Sequence, residues 1–107
     1  MTDIEFDTKF DYYDTVRNEL GLNTTWSIYE VDNLSDRHPY EGATHVAYRD
    51  WNTGKDVVVQ INGLTYAALY VAANAAIRNS TDKHHTFIEF FEQSSINPEM
   101  LNLTTGS

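Results

Sequence analysis

The chain has 107 residues, of which 16 are acidic and 7 basic, and its net charge is −9 with histidine neutral. Its content of 41% hydrophobic and 13% aromatic residues is sufficient for a packed core, so we expect one globular domain over residues 1–107. The absence of cysteine excludes disulfides, thiol catalysis and cysteine-ligated zinc, and the negative charge argues against direct contact with nucleic acid or anionic membranes.

The first third of the chain carries a helical pattern followed by a strand pattern. Apolar side chains recur at intervals of three or four residues, at Phe6, Phe10, Tyr13, Val16 and Leu20. This period predicts an amphipathic helix over residues 7–20, and Gly21 is placed to end it in a left-handed conformation. Residues 24–31 are rich in β-branched and aromatic side chains and predict a strand, and residues 32–42 predict a polar loop.

The middle of the chain predicts a hairpin and then a second helix. Residues 43–50 and 56–61 flank a turn in which Gly54 can adopt a positive φ. Residues 64–79 are rich in alanine and contain no proline or glycine, which favours a helix.

The last quarter of the chain predicts strands at residues 86–92 and 100–105, and the element order becomes α-β-β-β-α-β(-β). Short connections between successive strands favour antiparallel pairing. We therefore expect an α+β fold in which an antiparallel sheet of four to five strands has two helices packed on one face. The predicted core consists of Phe10, Tyr13, Trp26, Ile28, Val46, Tyr48, Val57, Val59, Leu69, Val71, Ile88 and Phe90.

The first predicted helix carries a stripe of aspartates beside its aromatic face. Its members are Asp3, Asp7, Asp11 and Asp14. Successive carboxylates at this spacing lie roughly 5–6 Å apart, which is close to the spacing of phosphates along a nucleic-acid strand. The stripe can therefore imitate a DNA backbone towards a basic protein groove. A second interpretation is a solvated helix face whose acids favour the positive end of the helix dipole.

The predicted loop offers further acidic groups. Asp32, Asp36 and Glu41 extend the acidic face, and residues 1–50 together hold 11 of the 16 acidic side chains. We predict that these three residues join the aspartate stripe in contacting a partner.

Two aromatic side chains are candidate apolar anchors for that partner. They are Tyr40 in the loop and Trp51 at the hairpin tip. Each has a structural interpretation as well: the loop can be a simple connector with Leu34 buried, and the indole can fold back over the sheet.

The sequence lacks the usual patterns of catalysis and metal binding. The histidines at positions 38, 45, 84 and 85 show neither His-x-x-x-His nor His-x-His spacing, and no serine lies in a Gly-x-Ser-x-Gly elbow. We therefore expect no catalytic residues, no metal and no cofactor.

The second predicted helix is apolar on two sides. One stripe is Leu64, Ala68, Val71 and Ala75, and the other is Tyr66, Tyr70, Ala73 and Ile77. One side can cover the sheet, and the other must contact either the first helix or a second copy of the protein. In the latter case the second stripe is an oligomer interface, and the protein is a self-associating structural or assembly component of a virion or an accessory complex.

The chain is short, acidic, cysteine-free and rich in tyrosine and asparagine. In this it resembles small accessory proteins of tailed bacteriophages, many of which bind and block a host enzyme. The segment His45-Val46-Ala47-Tyr48, followed by Thr53 and Val57, is similar to the central hairpin of the phage-encoded uracil-DNA glycosylase inhibitors, which imitate DNA. Those inhibitors place a Glu-Ser-Ile strand in the glycosylase groove, whereas this chain has Trp26-Ser27-Ile28.

These patterns predict a non-catalytic, phage-encoded inhibitor whose acidic face blocks a basic, nucleic-acid-binding host protein. The start of the chain resembles no secretory signal, and no run reaches the roughly 18–20 apolar residues that span a bilayer, so we expect a cytoplasmic location.

Overall fold

The computed structural model describes residues 3–22, 24–26, 33–81 and 87–106, and describes only the backbone of residues 3–10, 25 and 26. The elements are α1 (Asp3–Leu20), β1 (Thr25–Trp26), β2 (His45–Arg49), β3 (Asp56–Gln60), α2 (Tyr66–Asn79), β4 (Phe87–Gln93) and β5 (Met100–Gly106). The predicted element order and α+β class are confirmed, and the fifth strand is present. Neither helix combines the length and apolarity needed to cross a membrane within the part of the chain described.

The strands form one mixed sheet in the order β1-β4-β5-β2-β3. The β2–β3 and β4–β5 hairpins are antiparallel, but β1 pairs with β4 in parallel and β2 pairs with β5 in parallel. The prediction of an antiparallel sheet was therefore wrong for the β1–β4 pair and for the β2–β5 pair that joins the hairpins. Short connections fix pairing within a hairpin, whereas α2 separates the two hairpins in sequence and lets the second dock in either direction.

Each helix has a recognisable cap, at the C-terminus of α1 and at the N-terminus of α2. After α1, Gly21 adopts φ +68°, and the backbone N–H groups of Gly21 and Leu22 donate to the carbonyls of Asn18 and Arg17. These two bonds complete a Schellman motif, the C-terminal cap that the sequence predicted at Gly21. At the start of α2, the Thr65 hydroxyl accepts a hydrogen bond from the Ala68 N–H.

The hydrophobic core lies where α2 packs against β2 and β3, with side chains of α1 and β5 completing it. Its larger buried members are Tyr13, Leu22, Leu34, Val46, Tyr48, Ile61, Leu69, Tyr70, Ile77, Ile88, Phe91, Leu101 and Leu103.

The predicted core is confirmed for Tyr13, Val46, Tyr48, Leu69 and Ile88, and half-buried Val57 and Val59 pack against it. The side chains of Phe10 and Trp26, and all of Ile28, lie outside the described residues. The prediction was wrong for Phe90 and Val71, which are exposed.

A register shift between Ile88 and Phe90 explains the first of these errors. It places an extra residue in β4, so Ile88 and Phe91 both face the core although they are three residues apart. Val71 is exposed because α2 buries its other stripe, which contains Tyr70 and Ile77. These two larger side chains bury more apolar surface than the alanine-rich stripe that contains Val71 would.

Candidate partner-binding surface

The α1 helix is continuous from Asp3 to Leu20, so the four aspartates share one face. At about 100° per residue they fall within an arc of about 80°. The Asp11 side chain is exposed, and Asp14 is half-buried and forms an ion pair with Arg17 one turn later. The backbones of Asp3 and Asp7 are helical, while their side chains lie outside the described part.

This arrangement of charge opposes the stability of the helix. Like charges three or four residues apart destabilise a helix by about 0.2–0.5 kcal/mol per pair. Asp11 has such a neighbour on each side, Asp7 before it and Asp14 after it. Arg17 relieves part of the repulsion at Asp14 only. The stripe therefore carries a cost in folding that a mixed-charge face would avoid.

Tyr12 ties the acidic helix to the loop at residues 33–42. Its hydroxyl donates to Asn33 Oδ1 at 3.2 Å and accepts from the Leu34 backbone N–H at 2.9 Å. Leu34 itself is fully buried, as one of the two interpretations of this segment predicted. The middle of α1 is thereby fixed beside the loop.

The loop carries Asp36 and Glu41 at the surface, as predicted, whereas Asp32 lies outside the described residues. The Asp36 carbonyl accepts from the Tyr66 N–H at 2.9 Å, which ties the loop to the first turn of α2. The Glu41 carbonyl accepts from Gln93 Nε2 at 2.7 Å. Both carboxylates therefore sit on backbone positions that hydrogen bonds hold in place.

Tyr40 is half-buried and packs against the core, so its ring is only partly available as an anchor for a partner. Its ring packs 5.8 Å from the ring of His38 and 6.3 Å from that of Phe91. His38 is buried, its Nδ1 accepts from the Tyr40 N–H, and its Nε2 has no hydrogen-bond partner. Burial, reinforced by the nearby Arg37 guanidinium, lowers the pKa of His38 below its usual value of 6.5.

Trp51 lies at the opposite end of the sheet, in the hairpin that follows β2. It is 61% exposed, and its Nε1–H donates to Thr105 Oγ1 at 3.4 Å. A cavity of about 310 Å³ opens beside it, lined in part by Tyr48 and Leu103. Because β2 separates Trp51 from Tyr40 and Glu41, the hairpin tip and the loop cannot form one compact anchor.

Asp50 organises the hairpin tip, a role that the sequence analysis did not predict. Hydrogen bonds from the backbone N–H of Thr81, and also from Asn52 and Thr53, hold the pKa of its carboxyl at about 2. The Thr81 hydroxyl donates to the same carboxylate at 2.8 Å. The sequence Asp50-Trp51-Asn52-Thr53 is the signal that could have indicated an Asx turn.

The prediction that the second stripe of α2 binds a second copy of the protein was wrong. Tyr70, Ala73 and Ile77 are buried in the core of one chain, and Tyr66 is half-buried against it. The Tyr70 hydroxyl donates to the Thr24 carbonyl at 2.5 Å. The structure instead exposes the stripe that contains Leu64 and Val71.

No group of three histidine or acidic side chains converges as a metal site within the described ranges. His45 lies in β2 with its Nδ1 2.8 Å from the Thr44 hydroxyl, while His84 and His85 lie outside those ranges.

Comparisons with protein-family models, with curated proteins and with solved structures gave no match.

Proposed function

We propose that this chain is a non-catalytic binding protein that presents the acidic face of α1, together with the loop at residues 33–42, to a basic, nucleic-acid-binding protein. The observation that carries the proposal is the uninterrupted helix from Asp3 to Leu20, which aligns four aspartates at a spacing close to that of phosphates. We include Asp36 in this surface because it is exposed on the loop that Tyr12 holds beside the middle of α1.

Two properties of this surface support a binding role over simple solvation. The stripe repeats like charge at helical spacing, which lowers the stability of the free protein. A basic partner would relieve this repulsion on binding. The hydrogen bonds of Tyr12 to residues 33 and 34 also hold the surface in shape before any partner arrives, which reduces the entropy lost on association.

The proposed partner is a host protein with a DNA-binding groove, and the chain would be a phage product acting in the host cytoplasm. Its acidic face would occupy the groove and exclude DNA. Association would be fast and would weaken steeply with salt, since charge steers the encounter. Trp51 lies too far along the sheet to share this contact and is not part of the proposed surface.

Capture from a bacterial lysate tests the proposal. The lysate proteins that DNA–cellulose retains are passed over the immobilised chain at about 50 mM salt and eluted at about 500 mM. We expect the chain to retain a basic DNA-binding protein that high salt or added duplex DNA releases. A variant with Asp3, Asp7, Asp11 and Asp14 changed to asparagine should lose that retention.

The matched control changes four exposed acids outside the stripe to their amides, namely Glu19, Glu89, Glu92 and Glu99. It has the same net charge as the aspartate variant, but its stripe is intact. Equal loss of retention in both variants would show that net charge alone attracts the partner. Retention that survives in the aspartate variant would contradict the proposed surface.

A further inference from the structure

The sheet has two edge strands. β1 forms one edge, and the residues that follow it lie outside the described part. β3 forms the other edge with five residues, no proline and a regular register against β2. Natural proteins usually shorten, bulge or cover an edge of this kind.

The ladder with β2 shows which backbone groups of β3 point outwards. Asp50 N–H donates to the Lys55 carbonyl, and Ile61 N–H donates to the Thr44 carbonyl. Hydrogen-bonded positions alternate along an antiparallel strand, so Val57 and Val59 also bond to β2. The N–H and C=O groups of Asp56, Val58 and Gln60 therefore face the free edge, and no strand of the described part pairs with them.

This edge is complementary to itself. If a second copy pairs antiparallel about Val58, that residue faces Val58 of the second copy and Asp56 faces Gln60 of the second copy. All three outward-facing residues then exchange both of their backbone hydrogen bonds, about six bonds in total. No like charges meet, because the acid at position 56 lies opposite an amide.

The exposed stripe of α2 lies on the same side of the molecule. A groove of about 180 Å³ between β3 and α2 is lined in part by Val59, Ala68, Val71 and Ala75. α2 lies over β2 and β3. With strands about 4.8 Å apart, pairing at β3 would bring the two α2 helices to about 10 Å, which is a normal packing distance between helices. The alanines permit this approach, and Val71 is 40% exposed near the middle of the stripe.

Charge also favours a second copy as the occupant. The chain has a net charge of −9, but residues 56–79 contain one acid and one base, Asp56 and Arg78. Two strongly acidic chains can approach each other across this neutral face without strong repulsion, and a basic partner gains nothing there.

We propose that the protein forms a symmetric dimer by antiparallel pairing of its β3 strands, with the exposed stripes of the α2 helices packed together beside the seam. The contact is isologous, so it closes at two copies, and the sheet becomes continuous across both.

Light scattering after size exclusion tests the dimer on the full chain. The wild type should have twice the mass of one chain. Val58→Pro removes an outward N–H that the single chain does not use, and Val71→Lys places two ammonium groups near the two-fold axis. Each variant should shift the protein to the monomer, with unchanged circular dichroism.

Ile96→Lys is the matched control, because it replaces another exposed aliphatic residue far from β3 and should remain dimeric. If Val58→Pro fails to fold, Val71→Lys decides the question alone. A wild type that is monomeric at every concentration, or a dimer that survives Val71→Lys, would overturn the proposal.

Discussion

Replacing Asp11 with asparagine should stabilise the free protein, because Asp7 and Asp14 place like charge at helical spacing on either side of it. Two like-charged neighbours at helical spacing cost about 0.4–1 kcal/mol together. Since Arg17 already pairs with Asp14, the expected gain lies in the lower half of this range, at about 0.5 kcal/mol. Asp11 lies mid-helix, where the helix dipole contributes little, and asparagine and aspartate have similar helix propensities.

The assay is thermal unfolding at low and high ionic strength. A gain of about 0.5 kcal/mol raises the midpoint of a domain of this size by about 2–4 °C. At about 1 M salt the Debye length is about 3 Å, shorter than the distance between carboxylates, so the gain should largely vanish.

Glu99→Gln is the control for this prediction, because it changes the net charge equally. The Glu99 side chain is exposed on the loop before β5, so this change should leave stability nearly unchanged. An Asp11→Asn protein that is no more stable than the wild type at low salt would refute the electrostatic reasoning. A gain that persists at high salt would refute it as well.

Two further predictions concern the loop beside α1. Tyr12→Phe removes the hydroxyl that bonds residues 33 and 34 and should cost about 1 kcal/mol, measured by urea unfolding; an unchanged midpoint would mean that the tether does not hold. The folded-state pKa of His38 is lowered, so the unfolded chain takes up a proton first and stability should fall as the pH drops below 6.5. In His38→Gln, which keeps a hydrogen-bond acceptor, the free energy of unfolding should fall less between pH 7.5 and pH 5.5 than in the wild type. An equal fall in both proteins would assign the pH dependence to another group.

Local patterns in the sequence predicted the helices and hairpins well. The period of three and four residues, the alanine-rich run and the turn at Gly54 each depend on neighbours in sequence. The Schellman cap at Gly21 was predictable for the same reason. β2 and β5 pair in parallel although β3, α2 and β4 lie between them in the sequence. No local pattern encodes this pairing.

The candidate surface was predictable in part. The register of the aspartates followed from helical geometry once the helix was recognised. The separation of Trp51 from Tyr40 and Glu41 depends on the direction of β2, and the bonds of Tyr12 depend on a contact between residues 21 positions apart. The choice of which α2 stripe faces the core also required the tertiary structure, since both stripes are apolar.

The Asp50 carboxylate joins the hairpin tip to Thr81, two residues after the end of α2 and 31 positions later in the sequence. Opening either segment alone breaks the hydrogen bonds of Asp50 to the other, so the two segments should open together as one cooperative unit. The amide hydrogens of Asn52 and Thr81, although far apart in sequence, would then exchange with solvent through the same event.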